Sequence, residues 1–275
     1  MKKSIMLLFV FVIAFGIIAA GCGSNNDTSN ANDSGSAAGA ETIKVATDAA
    51  YAPMEFMDKG KIVGFDADLL DAVMEEAGLD YELVNTGWDT MLESVKQGTE
   101  YEVGISSVSI TEDRKITYDY TVPYFESTNM ILVNEDSAIQ NANDLKDKKV
   151  AVQVATTADE LMSNIMGQDN TNLKRFDTNT LAIQELASNG VDAVVADIAI
   201  VREYIKNNPD KKLKGLLDET NFTPEFYGIL LTKGSDLKAK LDPAVKKVIE
   251  SGKYAEIYKE WFGEEPDTQA LLDQM

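Results

Sequence analysis

Short apolar segments alternate with amphipathic helical segments along most of this 275-residue chain. The strands predicted in a first run are 43–46, 81–84 and 101–106, and those in a second run are 130–133, 150–154, 173–176 and 191–196. Helices are predicted between them, because the intervening apolar residues follow helical spacing. The first of these helices is predicted to be capped by Asp66, Ala67 and Asp68. Strands that alternate with helices form parallel sheets covered on both faces. The sequence therefore predicts an α/β fold, and the chain is long enough for one large domain or two modest domains with cores of their own.

A further strand is predicted at 227–232, after the second run has ended. The second run leaves it without a partner, so its simplest position is in the first sheet. Helices predicted at 237–251 and 254–261 would follow it there. The first lobe would then be built from two separate segments of the chain.

The first 22 residues have the character of a secretion signal. A short basic start precedes an uncharged apolar run from 5 to 20, and small residues end it. The sequence Ile18-Ala19-Ala20-Gly21-Cys22 resembles a bacterial lipobox, whose cysteine is lipidated and becomes the first residue of the mature protein. The resemblance predicts a lipoprotein signal peptide at 1–21, a palmitate-type lipid anchor on Cys22, and a location on the extracytoplasmic face of the cell membrane. The alternative is a plain signal peptide with an incidental free cysteine.

The segment 22–41 is rich in Ser, Asn, Asp, Gly and Ala and contains no large apolar residue. Such a segment buries too little apolar surface to fold, so it is predicted to be a flexible tether. Cys22 is the only cysteine of the chain, which excludes an intrachain disulfide.

The composition argues against several classes of function. The formal net charge is −21, and a surface of that sign repels nucleic acid. The chain contains no histidine, which removes the commonest metal ligand and the commonest general base. We therefore expect no zinc or other metal site, no cofactor, no Ser-His hydrolysis and no enzymatic activity.

The segment 104–114 combines hydroxyl groups with one cation. From Ser107 to Thr111, hydroxyl residues alternate with branched apolar residues, so an extended backbone would place the hydroxyls on one side. Thr111 followed by two acids predicts a helix start, with Arg114 one turn inside the helix. Because arginine offers a planar fork of donors, this segment is interpreted as a seat for a small carboxylate. The alternative is an ordinary strand-to-helix turn in which Arg114 bonds its acidic neighbours.

The segments 92–107 and 183–198 share one plan: a helix end, a glycine, an acid, a short apolar strand and then polar residues. The polar residues are Ser106 and Ser107 in the first segment and Asp197 in the second. In open α/β sheets, ligands bind outside the carboxyl ends of the strands. Two lobes that each present such an end could close on one small molecule.

Several short motifs occur in order along the chain: Ala46-Thr47-Asp48 with Tyr51, Pro53, Glu55 and Phe56; Gly64-Phe65-Asp66-Ala67-Asp68; Trp88-Asp89; Ser107 to Arg114; Pro123-Tyr124-Phe125; and Tyr258-Lys259-Glu260-Trp261-Phe262-Gly263. In these motifs the chain, from about Thr42 to Gly263, resembles the amino-acid-binding bacterial extracellular solute-binding proteins that deliver to ABC importers. It is most similar to the binders of basic amino acids and of glutamine.

This resemblance implies a periplasmic-binding-protein-like fold, in which two α/β lobes are joined by a two-strand hinge. The two crossovers would lie near 124–128 and 225–229. Lobe 1 would comprise 42–125 and 229–275, and lobe 2 would comprise 126–228. The implied activity is binding by lobe closure rather than catalysis.

The resemblance also implies which residues hold the carboxylate of an amino acid. Arg114 matches the arginine that forks onto the α-carboxylate. It would be helped by Ser109 and, from the second lobe, by Thr156 and Thr157. The chain departs from many relatives at Ala155, where they have glycine before the threonines.

Other positions match the residues that hold the rest of the ligand. Asp197 matches the acceptor of the α-ammonium, with the carbonyl of Ser107 as a further acceptor. Tyr51 and Trp88 match an aromatic pair around the side-chain stem, and Asp48 matches a residue at its distal end. From the residues alone, Asp197 is also a natural helix cap, Asp48 a natural turn residue, and the two aromatic residues plausible core.

The serine-rich segment that begins at Ser106 and the pair Asp48 and Tyr51 favour a cationic ligand, namely arginine, lysine or ornithine. Glutamine or another polar amino acid is the alternative. The implied partners are the free amino acid, ABC permease subunits and the membrane that holds the lipid of Cys22, and the protein is expected to be a monomer. Two other classes remain: an enzyme of the cyclohexadienyl dehydratase type, and the sensor domain of a receptor, which would need a transmembrane helix after the fold.

Overall fold

The structure is a computed structural model of the chain, and it describes residues 42–275. The predictions of a signal peptide at 1–21, a lipid anchor on Cys22 and a tether at 22–41 lie outside the described residues. Within the described part, no helix has the length and apolar character needed to cross a membrane.

Strands and helices alternate through most of the described chain. The strands are β1 Ile43–Thr47, β2 Ala50–Tyr51, β3 Glu55–Asp58, β4 Lys61–Val63, β5 Tyr81–Asn85, β6 Val103–Gly104, β7 Tyr118–Tyr120, β8 Phe125–Ser127, β9 Asn129–Asn134, β10 Val150–Gln153, β11 Leu173–Phe176, β12 Ala193–Asp197, β13 Leu213–Leu216, β14 Glu225–Tyr227 and β15 Leu230–Thr232. The helices are α1 Phe65–Ala77, α2 Trp88–Gln97, α3 Glu112–Thr117, α4 Thr157–Met166, α5 Asn179–Ala187, α6 Ile198–Asn207, α7 Lys238–Glu250, α8 Lys253–Phe262 and α9 Thr268–Leu272.

Two five-stranded sheets form the centres of two lobes. The first sheet has the order β5-β1-β6-β15-β7 and the second has the order β11-β10-β12-β9-β13. In the first sheet β1 lies between β5 and β6, and in the second β10 lies between β11 and β12. The two lobes therefore repeat one topology.

The prediction of parallel sheets is correct for four strands of each sheet, which run in one direction, and wrong for the fifth, which runs against them. Strand β1 runs parallel to β5 and β6, whereas β15 runs antiparallel to β6 and β7. Likewise β10 runs parallel to β11 and β12, whereas β9 runs antiparallel to β12 and β13. The antiparallel direction arises because the chain enters β9 and β15 from the other lobe, at the edge where the parallel strands end.

The connection between the lobes is a pair of short strands. Strand β8 pairs antiparallel with β14, with Phe125 opposite Tyr227. The strand predicted at 227–232 is therefore divided, since Tyr227 belongs to this hinge and β15 belongs to the first sheet. Gly228 lies at the break, and its backbone N–H donates to the carbonyl of Val108 at 3.2 Å.

Some short elements escaped the sequence analysis. Strands β2, β3 and β4 form a separate three-stranded sheet, β7 closes the edge of the first sheet, and α9 ends the chain. Each has five residues or fewer, which is too short for a periodic pattern to be recognised. The predicted strand 101–106 is reduced to the two residues of β6.

Asp66 does not cap helix α1, contrary to the sequence prediction. The helix begins at Phe65 after Gly64, and it has no side-chain cap. Asp66 is instead fully buried, and its Oδ2 accepts the backbone N–H of Ser107 at 2.7 Å. Gly64 allows the backbone at the start of α1 to lie directly against Met54, because it has a φ of 136° and no Cβ.

An aromatic cluster joins the first lobe, the hinge and the last helices. Phe65 lies edge-on to Tyr254 at 5.7 Å and to Phe125 at 5.4 Å between ring centroids. Phe125 stacks on Tyr227 at 5.4 Å with an interplanar angle of 11°. Both hinge strands are therefore anchored by large apolar rings, which fixes the point about which the lobes pivot.

We predict that Gly64→Ala lowers the free energy of unfolding by about 2–4 kcal/mol. The new Cβ would lie 2.1 Å from the carbonyl oxygen of Met54, at a φ that other residues rarely adopt. Urea unfolding measures the change. Gly78→Ala is the matched control, because Gly78 has a φ of 65° but open space around it, and its expected cost is about 1 kcal/mol. Equal losses of unfolding free energy in Gly64→Ala and Gly78→Ala would contradict the expected clash with the carbonyl of Met54.

Candidate functional site

One cavity lies where the carboxyl ends of strands from the two sheets face each other. Its lining contains every residue that the sequence analysis assigned to the ligand: Asp48, Tyr51, Trp88, Ser106, Ser107, Ser109, Arg114, Thr156, Thr157 and Asp197. Gln153, Ala158, Asn179 and Ala196 complete the lining. The empty space among these residues is about 420 Å³, part of which is open solvent. That these residues contact a ligand stays a prediction.

Asp197 occupies the first position before α6 but makes no capping bond to it. Its Oδ2 accepts the hydroxyl of Tyr51 at 2.6 Å and the hydroxyl of Tyr227 at 2.6 Å. Loss of solvent raises the pKa of Asp197, and these two hydroxyls and the charge of Arg114 oppose that rise. The carboxylate therefore faces the cavity with one oxygen saturated by the protein.

Arg114 lies in the first turn of α3, whose N-cap is Thr111 as predicted. Its Nη1 donates to the carbonyl of Ser109 at 3.1 Å and its Nη2 donates to the carbonyl of Ala155 at 3.0 Å, so the guanidinium reaches both lobes. Ala155 has a φ of 58°, in the left-handed region that favours glycine. The alternative in which Arg114 bonds its acidic neighbours does not occur, since Glu112 pairs with Lys115 instead.

The guanidinium of Arg114 also lies over the ring of Trp88, 5.6 Å from its centroid. A cation over an indole face is attracted by the ring quadrupole. Tyr51 reaches the cavity from the far side of the same lobe and is tied to Asp197 across the lobes. Both rings line the cavity, and no stacking contact joins them to each other in the described chain.

The predicted wall of aligned hydroxyls is not formed. Ser107 has a φ of 51°, which breaks the extended backbone and with it the alternation. The hydroxyl of Ser107 donates to Asp66 at 3.3 Å, that of Ser109 donates to Glu225 at 2.5 Å, and that of Thr111 accepts the N–H of Arg114 at 3.2 Å. Each hydroxyl therefore has its own partner inside the protein.

Glu225, in hinge strand β14, is a site residue that the sequence analysis missed. Its Oε2 accepts the hydroxyl of Ser109 from the first lobe and that of Thr157 from the second, at 2.5 and 2.9 Å. Its Oε1 accepts the side-chain N–H of Asn129 at 2.6 Å. Burial raises the pKa of Glu225, and the nearby charge of Asp197 adds to the rise. One carboxylate thus joins both lobes at the hinge.

The side-chain hydroxyls of the two threonines are therefore already engaged. Thr157 donates to Glu225, while Thr156 is the N-cap of α4 and donates to the carbonyl of Gln153 at 2.8 Å. The backbone N–H groups of Ser109 and Thr157, by contrast, have no acceptor within residues 42–275. These two N–H groups and Arg114 are therefore available as donors to an anion.

The far end of the cavity contains a buried acid held by amides. Gln153 donates from Nε2 to Asp48 Oδ2 at 3.1 Å across the lobes, and it accepts from the side chain of Asn179 at 2.7 Å. Burial raises the pKa of Asp48, and the charge of Asp89 adds to the rise while the Gln153 bond opposes it. Gln153 could have been found from the sequence, because it is the polar residue near the carboxyl end of the predicted strand 150–154.

The lobes touch each other across the cavity in this structure. Bonds from Tyr51 to Asp197, from Gln153 to Asp48 and from Arg114 to Ala155 all cross between them. The described conformation is therefore one in which the lobes are closed.

A larger cavity of about 1,180 Å³ lies behind the hinge, beside β8 and the helices α6 and α8. Its cationic residues, Arg202 and Lys206, are exposed, and its lining includes none of the predicted ligand residues. Converging buried polar groups distinguish a binding site from a surface hollow. The smaller cavity between the lobes is therefore the candidate site.

We predict that Glu225→Ala lowers the free energy of unfolding by about 1–3 kcal/mol, because Ser109, Thr157 and Asn129 would each lose a buried acceptor. Urea unfolding in the absence of added amino acid measures it. Glu126→Ala is the control, since Glu126 is exposed on the partner hinge strand, and we expect a change within about 0.5 kcal/mol. If Glu225→Ala lowered the free energy of unfolding no more than Glu126→Ala does, the conclusion that Glu225 joins the two lobes would be contradicted.

Comparison with known proteins gives a consistent result. The sequence profile of the bacterial extracellular solute-binding proteins, family 3, matches residues 43–264. A probable histidine-binding protein of Neisseria gonorrhoeae is 37% identical over 228 residues, covering 82% of this chain and 84% of that protein. The arginine-binding extracellular protein ArtP of Bacillus subtilis is 29% identical over 265 residues, covering 95% of this chain and 98% of ArtP.

A solved structure agrees with the fold described above. The arginine-, lysine-, histidine-binding protein ArtJ of Geobacillus stearothermophilus has a TM-score of 0.83 and 52% sequence identity, and the match covers 84% of this chain and 100% of that one. The likeness spans both lobes and the hinge, so the resemblance inferred from the motifs is confirmed. The chain belongs to the bacterial extracellular solute-binding proteins, family 3.

Proposed function

We propose that this protein captures a free basic amino acid, arginine, lysine or ornithine, by closing its two lobes on it and delivers it to a membrane permease of an ABC importer. The observation that carries the proposal is the placement of Arg114 and Asp197 on the same small cavity, reached from opposite lobes. A zwitterion needs a cation for its carboxylate and an anion for its ammonium, because neither charge tolerates desolvation alone.

The carboxylate end of the ligand is assigned to Arg114 and to backbone donors. The N–H groups of Ser109 and Thr157 come from different lobes and lack acceptors in the described chain. Thr157 is also the first residue of α4, where the helix dipole favours an anion. A carboxylate bound there would bridge the lobes, so its binding energy would favour the closed state.

The ammonium end is assigned to Asp197. Tyr51 and Tyr227 saturate one oxygen of Asp197, which leaves the other to accept from the ligand. The carbonyl of Ser107 is a second candidate acceptor, since Ser107 also lines the cavity.

The charges at the far end support a cationic side chain. Asp48 is buried there, and Asp89 lies close enough to raise the pKa of Asp48. Arg114 is the one cationic residue in the cavity lining, against the acids Asp48 and Asp197. A ligand that brings an extra positive charge reduces this imbalance, whereas glutamine does not. The relatives named for arginine, histidine and lysine binding support the same choice.

The proposal includes an anchor on the extracytoplasmic face of the membrane, through a lipid on Cys22. Its support is the lipobox-like sequence that ends at Cys22 and the polar segment after it, which would act as a tether. We also propose that the protein works as a monomer.

An enzyme of the cyclohexadienyl dehydratase type remains the alternative from another class. It would need carboxylates poised as acid and base over a cyclic substrate. The other alternative is the sensor domain of a receptor, which would need a transmembrane helix after the fold. The structure gives no observation that favours either alternative over ligand capture.

Thermal unfolding of the purified protein with each common amino acid in turn tests the proposal. A ligand present at about a hundred times its Kd stabilises the folded state by about 2.7 kcal/mol, so the midpoint should rise by roughly 5–10 °C. We expect arginine, lysine or ornithine to produce the shift. A shift with glutamine alone would overturn the basic specificity, and no shift with any amino acid would overturn the binding function.

We predict that Arg114→Ala and Asp197→Ala each weaken binding of the stabilising amino acid by roughly 30-fold or more, because one ligand charge would be left buried and unpaired. Isothermal titration calorimetry measures the affinity. Arg202→Ala serves as the control, since Arg202 is exposed behind the hinge and should leave affinity unchanged. Affinity within threefold of wild type in either cleft variant would refute the assignment of these two residues.

A further inference from the structure

We propose that Glu55 and Asp66 are positioning residues for the serine segment of the binding site, and that they hold it as an acid pair sharing one proton. Neither residue lines the cavity, and both lie directly behind Ser106 and Ser107. The proposal rests on the proposed function, because it concerns how the same cleft is shaped.

Both carboxyls are removed from solvent and bonded to the serine segment. Glu55 is 1% exposed and Asp66 is 0% exposed. The hydroxyl of Ser106 donates to Glu55 Oε1 at 2.5 Å, and the backbone N–H of Ser107 donates to Asp66 Oδ2 at 2.7 Å. The hydroxyl of Tyr124 donates to the same Oδ2 at 2.9 Å.

One oxygen of each carboxyl is left over. Glu55 Oε2 and Asp66 Oδ1 are buried and have no hydrogen-bond partner among the described residues, and the two carboxyl groups lie within hydrogen-bonding reach of each other. No lysine or arginine of residues 42–275 forms an ion pair with either acid. Two bare anions in that position would repel strongly, whereas one proton between Oε2 and Oδ1 satisfies both oxygens.

The remaining bonds place the proton on Glu55. Asp66 Oδ2 accepts from the N–H and hydroxyl of Ser107 and from Tyr124, a donor set that suits an ionised carboxylate. Within residues 42–275, Glu55 accepts a single hydrogen bond, from the hydroxyl of Ser106. Glu55 is therefore the acid of the pair, donating through Oε2 to Asp66 Oδ1.

The surroundings of the pair add no positive charge. Asp48 lies on the cavity side of Glu55, and the hydroxyls of Tyr51, Tyr124 and Tyr254 belong to the neighbouring elements. Burial raises the pKa of Glu55 well above 4.5, and the charge of Asp66 raises it further. Those tyrosines have pKa values raised well above 10 and stay neutral.

The pair acts on the ligand site through two serines. Ser107 has a φ of 51°, a conformation that costs a non-glycine residue energy, and the bond from its N–H to Asp66 retains it there. Ser106 links Glu55 to Asp48, because its hydroxyl also accepts the backbone N–H of Asp48 at 3.2 Å. Glu55 therefore sets the position of Asp48, and Asp66 sets the direction of the Ser107 carbonyl.

A shared proton makes folding depend on pH in a stated direction. Above about pH 4.5 the unfolded chain releases the Glu55 proton, whereas the folded protein retains it until its raised pKa is reached. The pair's contribution is therefore complete below pH 4.5 and declines as pH rises toward the folded pKa. In that window each pH unit multiplies the unfolding constant about tenfold.

The first test compares urea unfolding of wild type and Glu55→Gln at pH 5, 6 and 7. Gln keeps an acceptor for Ser106 and a donor for Asp66 but binds no proton, so the wild-type unfolding constant should rise about tenfold per pH unit relative to the variant. Glu82→Gln, at an exposed position in β5, is the control and should run parallel to wild type. Parallel curves for wild type and Glu55→Gln would overturn the shared proton.

The second test measures arginine affinity of Glu55→Gln and Glu55→Met at pH 7. Gln retains both bonds, so we expect affinity within about threefold of wild type, while Met matches the length without them and should lose about tenfold. Equal affinities for the two variants would overturn the positioning role. If wild type itself binds no amino acid, the proposed function fails, while the urea comparison still decides whether the pair shares a proton.

Discussion

Buried carboxylates held by hydroxyl and amide donors are the constraint on which the cleft depends. Asp48 accepts from Gln153, and Asp197 accepts from two tyrosine hydroxyls. Glu225 accepts from the hydroxyls of Ser109 and Thr157. The donors in these bonds are neutral groups rather than lysine or arginine. Removing a carboxylate from water without such donors would cost several kcal/mol. Each of these networks includes groups from both lobes or from the hinge. The need of the buried acids for hydrogen-bond donors therefore also determines how the lobes meet.

With this arrangement the protein can adopt the closed state without a ligand. The cross-lobe bonds of Tyr51, Gln153 and Arg114 are made by protein atoms only. A ligand shifts the equilibrium between open and closed forms by the extra free energy that it gains in the closed form. Unpaired negative charge in the closed cleft contributes to that difference, since an arriving cation reduces the excess of acids over Arg114.

The sequence predicted the α/β architecture and, at Ser106, Ser107 and Asp197, the polar strand ends that line the cavity, for one physical reason. Strand ends are marked locally by polar residues after apolar runs, and parallel strands bring those ends together, as at Ser106 and Asp197. Glu225 could not be found this way, because its importance arises from partners far away in the chain. The misread role of Asp66 has the same cause: an acid after a glycine looks like a helix cap, and only the tertiary fold buries it.

The two crossings of the hinge have a consequence for how the molecule assembles. Every strand of the second sheet lies between residues 129 and 216, whereas the first sheet needs β15, at 230–232, between β6 and β7. Pairings between distant segments form slowly, because a long loop must close before any contact is gained. During synthesis from the amino terminus, the second sheet is thus complete while β6 still has an open edge. We expect the first lobe, which begins the chain, to be the last to finish folding.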